Sequence, residues 1–328
     1  MKFLIKLSLL VCTFSTFNFG QTVNNIAKNN QVLLNVSVVL GYNEPILDLK
    51  AENFRLFENN KPLQISYLSN EDVPMSVGFL IDNSTSMGES TDFSREGIVA
   101  FLNESNPNNE YFVTAFNKKI DVLSEFINHD ETEKLISDNP YFVKFPKNGK
   151  TVLYDAMVSG IEKLSKSKNR KRVLFVFWDA NEEYTTGSYK EVEKLLKEKN
   201  VILYSIGCAE EFRPFTDLLE ELAEVTGGRE TYPENRLSDS RVKTFESYKS
   251  YFREKYMLTL SDLAKQLRHQ YTIGFNPNLE GDKNRWRSLE IKLELEKELQ
   301  KELKKKSKVI KVLFRKGYYP FSEIVTSN

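Results

Sequence analysis

The 328-residue chain carries 46 Lys plus Arg against 46 Asp plus Glu, and 40% of its residues are hydrophobic. That composition excludes a disordered chain, and the absence of a basic excess removes the usual footing for a nucleic-acid partner. The length suits two or three domains with at least one sizeable core.

The chain opens Met1-Lys2-Phe3-Leu4-Ile5-Lys6 and continues mostly apolar from Leu7 to Phe17. A short basic start before an apolar run too short to span a bilayer reads as a signal peptide over residues 1–20. Thr13 and Ser15 offer one cleavage site, and Gly20 before Gln21 offers another. Bulky Val11 argues against lipidation at Cys12, and an anchor that stays on is the alternative. No other segment is long and apolar enough to span a membrane, so the expected location is periplasm, cell surface or medium. Loss of Cys12 leaves Cys208 as a lone thiol, so no internal disulfide is expected.

Residues 21–72 form an N-terminal β segment. Val32 to Leu40 is β-branched and partly alternating, Phe54 to Glu58 alternates, Asn59-Asn60 turns, and Leu63 to Tyr67 alternates again. This reads as a small antiparallel β element.

The texture changes at about residue 73. Ser76 to Ile81, Tyr111 to Phe116, Val173 to Trp178 and Val201 to Ile206 are almost continuous apolar runs, as strands buried on both faces require. Helical patterns alternate with them. Val152, Leu153, Met157, Ile161 and Leu164 line one helix face, and residues 188–199 and 212–225 also read as helices, the second stopped by Gly227-Gly228. The expectation over 73–235 is an α/β, doubly wound, mainly parallel sheet with helices on both faces.

Residues 236–268 read as a charged helical connection, and 269–328 as a C-terminal β segment containing Tyr271 to Phe275, Leu289 to Leu295 and Val309 to Phe314. The two terminal β segments are expected to form the halves of one antiparallel β-sandwich. Lys/Glu-rich Glu296 to Lys308 reads as a solvated hairpin extension, with polyanion binding as the minor alternative.

Chemistry concentrates at strand ends. Asp82 ends the first apolar run, and Ser84 and Ser86 follow at alternate positions. Carboxylate and hydroxyl oxygens suit Mg²⁺, and ligands of open α/β sheets bind at the carboxyl ends of strands. Asp179 ends the run Val173 to Trp178, and Thr151 opens a helix after the turn Asn148-Gly149-Lys150. Two carboxylates together at the edge of an apolar sheet repel unless a cation lies between them.

Asp82-Asn83-Ser84-Thr85-Ser86, Thr151 in Gly-Lys-Thr-Val-Leu-Tyr-Asp-Ala, and Asp179 resemble the metal-ion-dependent adhesion site of von Willebrand factor type A (VWA) domains. The flanks resemble the narrower VWFA-related acidobacterial family. The motifs are Leu49 to Pro62, Leu267 to Phe275 and Arg315-Lys316-Gly317-Tyr318-Tyr319. The resemblance implies that Ser84 and Ser86 touch the metal directly, Thr151 directly or through water, and Asp82 and Asp179 mostly through water. Asp179-Ala180, after bulky Trp178, departs from the family's usual Asp-Gly.

Other residues have plainer explanations. Asp155 suits the first turn of a helix, Cys208 reads as core, and Trp178 as rim or core packing. His129 and His269 lack Cys or His partners at metal spacing, and no phosphate-loop motif supports nucleotide binding. The expected function is metal-dependent protein binding, not catalysis. Mg²⁺, with Mn²⁺ or Ca²⁺ as alternatives, engages a carboxylate on a partner protein. A metal-assisted hydrolase, or a scaffold with a non-functional site, is the alternative.

Overall fold

The structure is a computed structural model that describes residues 31–41, 44–87, 90–138, 152–179, 188–207, 216–232, 244–278, 282, 284–297, 300–301 and 309–320. The expected signal peptide, Thr151, Cys208 and most of the Lys/Glu-rich stretch lie outside these residues.

The N-terminal flank supplies β1 (Val32–Leu40), β2 (Glu44–Pro45), β3 (Phe54–Glu58), β4 (Lys61–Leu63) and β5 (Ile65–Ser69). The middle of the chain runs β6 (Met75–Asp82), α1 (Ser90–Glu104), β7 (Glu110–Phe116), β8 (Ile120–Val122), α2 (His129–Asp138) and α3 (Leu153–Ser165). It continues with β9 (Lys171–Trp178), α4 (Tyr189–Lys199), β10 (Val201–Gly207), α5 (Thr216–Thr226), β11 (Arg229–Thr231) and α6 (Phe245–Arg268). The C-terminal flank adds β12 (Tyr271–Phe275), β13 (Arg287–Leu293), β14 (Ile310–Phe314) and β15 (Gly317–Tyr318).

The central sheet has the order β11-β10-β9-β6-β7-β8. Its members pair in parallel except β8, which runs antiparallel to β7. Every residue of β6, β7 and β10 is buried, because helices cover both faces and leave no wet side to select polar residues. On one face Phe79, Phe101, Phe175 and Tyr256 join α1, α2 and α6 to the sheet. On the other, Leu80, Phe112, Met157, Leu174, Leu196 and Leu222 join α3, α4 and α5.

Helix α6, within the expected helical connection, belongs to the first of these layers. Tyr251, Phe252, Tyr256, Leu260, Leu263, Ala264 and Leu267 are all buried along it. Gly97 of α1 allows the close approach: a Cβ there would sit 2.8 Å from the Tyr256 ring.

The winding positions the site. β6 pairs with β7 on one side and with β9 on the other. The sheet therefore reverses its direction of growth between β6 and β9. In open sheets of this class the carboxyl ends of such a strand pair flank a crevice, the usual ligand position.

The terminal flanks interleave. β1 pairs antiparallel with β12, β14 and β2, while β5 pairs with the other edge of β12. A second sheet has the order β15-β13-β3-β4. Val36, Phe54, Leu56, Tyr271, Ile273, Leu289, Phe314 and Tyr318 share one core between the two sheets. The strands of residues 31–69 are therefore not one local element, as their proximity in sequence suggested. Among the described residues of this stretch, β1–β2 and β3–β4 pair locally, and the remaining partners come from beyond residue 270. Asn59 (φ 46°) and Asn60 (φ 64°) make the β3–β4 turn, with both central residues left-handed as a two-residue hairpin loop demands.

Candidate functional site

Asp82 is the last residue of β6, and Asp179 directly follows β9. Both carboxylate residues are buried, at 1% and 6% exposure. Burial, and then the charge of Asp179, push the Asp82 carboxyl up to about 7, against a smaller lowering from its hydrogen bonds with Ser84. The crevice thus gathers two acids that water does not solvate well and that repel each other.

The loop after β6 folds over this pair. The Asn83 amide donates to the Phe116 carbonyl at 2.8 Å, which ties the loop to the end of β7. The Ser84 amide donates to Asp82 Oδ1 at 2.7 Å. A 3₁₀ turn over Thr85–Met87 follows, closed by Met87 N to Ser84 O at 3.2 Å. Buried Met87 joins the core on the α1 face and anchors the turn. The result places Ser84 Oγ 3.0 Å from Ser86 Oγ, with Ser84 buried and Ser86 exposed.

Thr151 lies outside the described residues, but its neighbour is placed. Val152 N donates to Asn117 O at 2.9 Å, one residue beyond the carbonyl that holds Asn83. The loops after β6 and before α3 therefore meet at the same end of β7.

Among the described residues no group of three His, Cys, Asp or Glu side chains is placed to hold a metal. The crevice instead offers two carboxylates and two hydroxyls, an oxygen-only donor set of the kind that hard divalent ions accept.

The other residues singled out in the sequence are placed as follows. Asp155 stands in the first turn of α3, and His129 opens α2, with Nε2 3.9 Å from Glu133. His269 caps the C-terminus of α6. Trp178 is core, not rim: it is buried on the α3–α5 face and donates Nε1 to Ser205 Oγ at 2.8 Å. Gly227 has φ +87° and packs against the backbone of Phe314 and Arg315, so its role is a stop and a close approach. Sequence reasoning missed Asn83, the variable position of the motif, which is buried at 1% exposure. Its only signal was its place between two candidate ligands.

The family of von Willebrand factor type A domains matches residues 76–248. Proximal thread matrix protein 1 from the mussel byssus, solved with a zinc-occupied adhesion-site motif, is similar at 12% identity and a TM-score of 0.44, over 64% of this chain and 49% of that one. The PilB minor pilin from Streptococcus sanguinis is similar at 13% identity and a TM-score of 0.42, over 61% and 63%. A von Willebrand factor type A protein from Catenulispora acidiphila is similar at 13% identity and a TM-score of 0.43, over 70% and 51%. Among curated proteins no match is found. Because the family match spans more than half of the 328 residues, the chain belongs to the von Willebrand factor type A domain family.

Proposed function

We propose that this chain is a cation-dependent protein-binding module, in which Asp82, Ser84, Ser86, Thr151 and Asp179 hold one divalent ion. VWA domains are generally protein-interaction modules and often hold a divalent metal. The observation that carries the reading here is the buried pair Asp82 and Asp179 beside two converging hydroxyls at the switch point of the sheet. A cation removes the repulsion that the fold otherwise leaves in place. Mg²⁺ suits the oxygen donors best, with Mn²⁺ or Ca²⁺ as substitutes. When bound, the ion supplies positive charge that neutral hydroxyls leave uncompensated, and this attracts a carboxylate from a partner protein.

Binding, not hydrolysis, is the function inferred. Both histidines stand at helix ends, and among the described residues no nucleophile–base pair accompanies the acids. Export also belongs to this reading, on the strength of the basic-then-apolar start of residues 1–20. Among the described residues no helix is long and apolar enough to cross a membrane. The terminal sheets are read as one β-sandwich that carries the VWA domain.

The test is calorimetric titration of Mg²⁺ into the purified protein and into Asp82→Ala, followed by capture of envelope proteins with and without EDTA. Saturable Mg²⁺ binding and EDTA-sensitive capture, both lost in Asp82→Ala, are expected. Equal behaviour of the two proteins would overturn the reading.

A further inference from the structure

Asn83 sits between the two site residues Asp82 and Ser84, and all three are 1% exposed. Its backbone is accounted for by the bond to Phe116 O. Its side chain is not. Both Oδ1 and Nδ2 are buried, and among the described residues no protein group bonds to either. The other polar side chains of this loop segment have partners: Asp82 accepts from Ser84, and the hydroxyls of Ser84 and Ser86 meet.

An amide has two acceptor and two donor positions, and each buried group left unmade costs stability. An apolar residue of similar size would fill the space without that cost. Beside a ligand site, the partner that suits such a group is a water or ion that comes with the ligand. At 1% exposure, a partner's side chain cannot reach the amide, but a water can, since buried waters are held by two to four polar groups.

We propose that Asn83 is a positioning residue of the cation site. Its amide orients a buried water that belongs to the ion's hydration, and so sets how tightly the ion is held and how freely that water exchanges. The proposal rests on the cation reading above.

Mn²⁺ is the probe, read by titration and by water-proton relaxation of the bound ion, with melting of the metal-free protein as the folding control. Three variants are compared with the natural chain: Asn83→Leu, Asn83→Ser and Asp82→Ala. Asn83→Leu is expected to melt no lower than the natural chain without metal. It should bind Mn²⁺ at least about tenfold more weakly, as loss of a group orienting a metal's surroundings does. It should also show an altered relaxation enhancement. Asn83→Ser, which keeps a hydroxyl and leaves room for a second water, should recover part of both. If Asn83→Leu and Asn83→Ser match the natural chain in affinity and relaxation, the proposal is overturned while the cation reading stands. If the natural chain binds no Mn²⁺, or Asp82→Ala binds it equally well, both fall together.

Discussion

The side-chain amide of Gln266, in the last turn of α6, donates to the hydroxyl of Ser37 in β1 at 3.1 Å, across 229 positions of sequence. Gln266 also donates to Tyr204 OH at 3.1 Å and accepts from Arg229 at 2.7 Å. Gln270 adds a second donor to Ser37 at 3.0 Å. One buried amide therefore ties the central sheet, its last helix and the flanking sheet together. Substitution by Leu strips Arg229, Tyr204 and Ser37 of this partner at once. Gln266→Leu is expected to lower stability by about 3 kcal/mol. Urea denaturation checks this, and a loss under about 1 kcal/mol would mean that water replaces the amide without penalty.

A second buried polar group closes the other flanking sheet. Arg287 of β13 lies 3.4 Å from both carboxylate oxygens of Glu58 in β3, and Tyr318 of β15 donates its hydroxyl to the same carboxylate. Glu58→Gln removes the Glu58 charge from the buried Arg287 guanidinium and should cost about 3–5 kcal/mol. Tyr318→Phe removes one neutral donor and should cost about 1–2 kcal/mol. Reversal of that order in denaturation curves would show that packing, not charge, governs this corner.

The acid pair at the crevice makes stability depend on pH. The Asp82 carboxyl stands near 7 in the metal-free fold, above its ordinary 3.8. Below 3.8 both folded and unfolded chains hold this proton, and the group's contribution is fully present. As pH rises from about 4 to about 7 the unfolded chain releases the proton first, so stability falls, and the loss is complete above about 7. Melting in EDTA should show this decline, and millimolar Mg²⁺ should stabilise more at pH 8 than at pH 5. Asp82→Asn should flatten the decline and abolish the Mg²⁺ effect. A decline that is unchanged in Asp82→Asn would assign it to another group.

The α1–α6 contact has little slack. A Cβ on Gly97 would stand 2.8 Å from Tyr256 Cδ1 and 3.2 Å from Leu260 Cγ. Gly97→Val should cost about 1–3 kcal/mol by overpacking. Because α1 follows the site loop, a raised Mg²⁺ dissociation constant is expected as well. Calorimetry on the folded variant reads the second effect separately from the first.

The central sheet was legible because burial on both faces writes continuous apolar runs, and β6, β7, β9 and β10 fall on them. Asp82 and Asp179 were legible because each ends such a run. Pairing was not legible in the flanks. Alternation announces that Phe54 to Glu58 and Arg287 to Leu293 are strands but does not say that Leu56 faces Ile291, since partners lie more than 200 positions apart. Trp178 was undecided because an indole suits rim and core alike, and only Ser205, from the neighbouring strand, settles where its N–H goes. Asn83 was invisible because burial of a loop residue depends on the loop's path, here set by Phe116 and Met87.

The interleaving of β1 between β12 and β14 also dictates a sequence of events in time. β1 offers Val36 to both Tyr271 and Phe314, and neither exists until most of the chain has been made. Apart from the two residues it shares with β2, this early, apolar strand must wait with open hydrogen-bonding edges. Meanwhile the central sheet can assemble from the contiguous stretch behind it. Unpaired apolar edges of this kind invite aggregation, so the chain is most exposed to misassembly in the interval before residue 314 emerges.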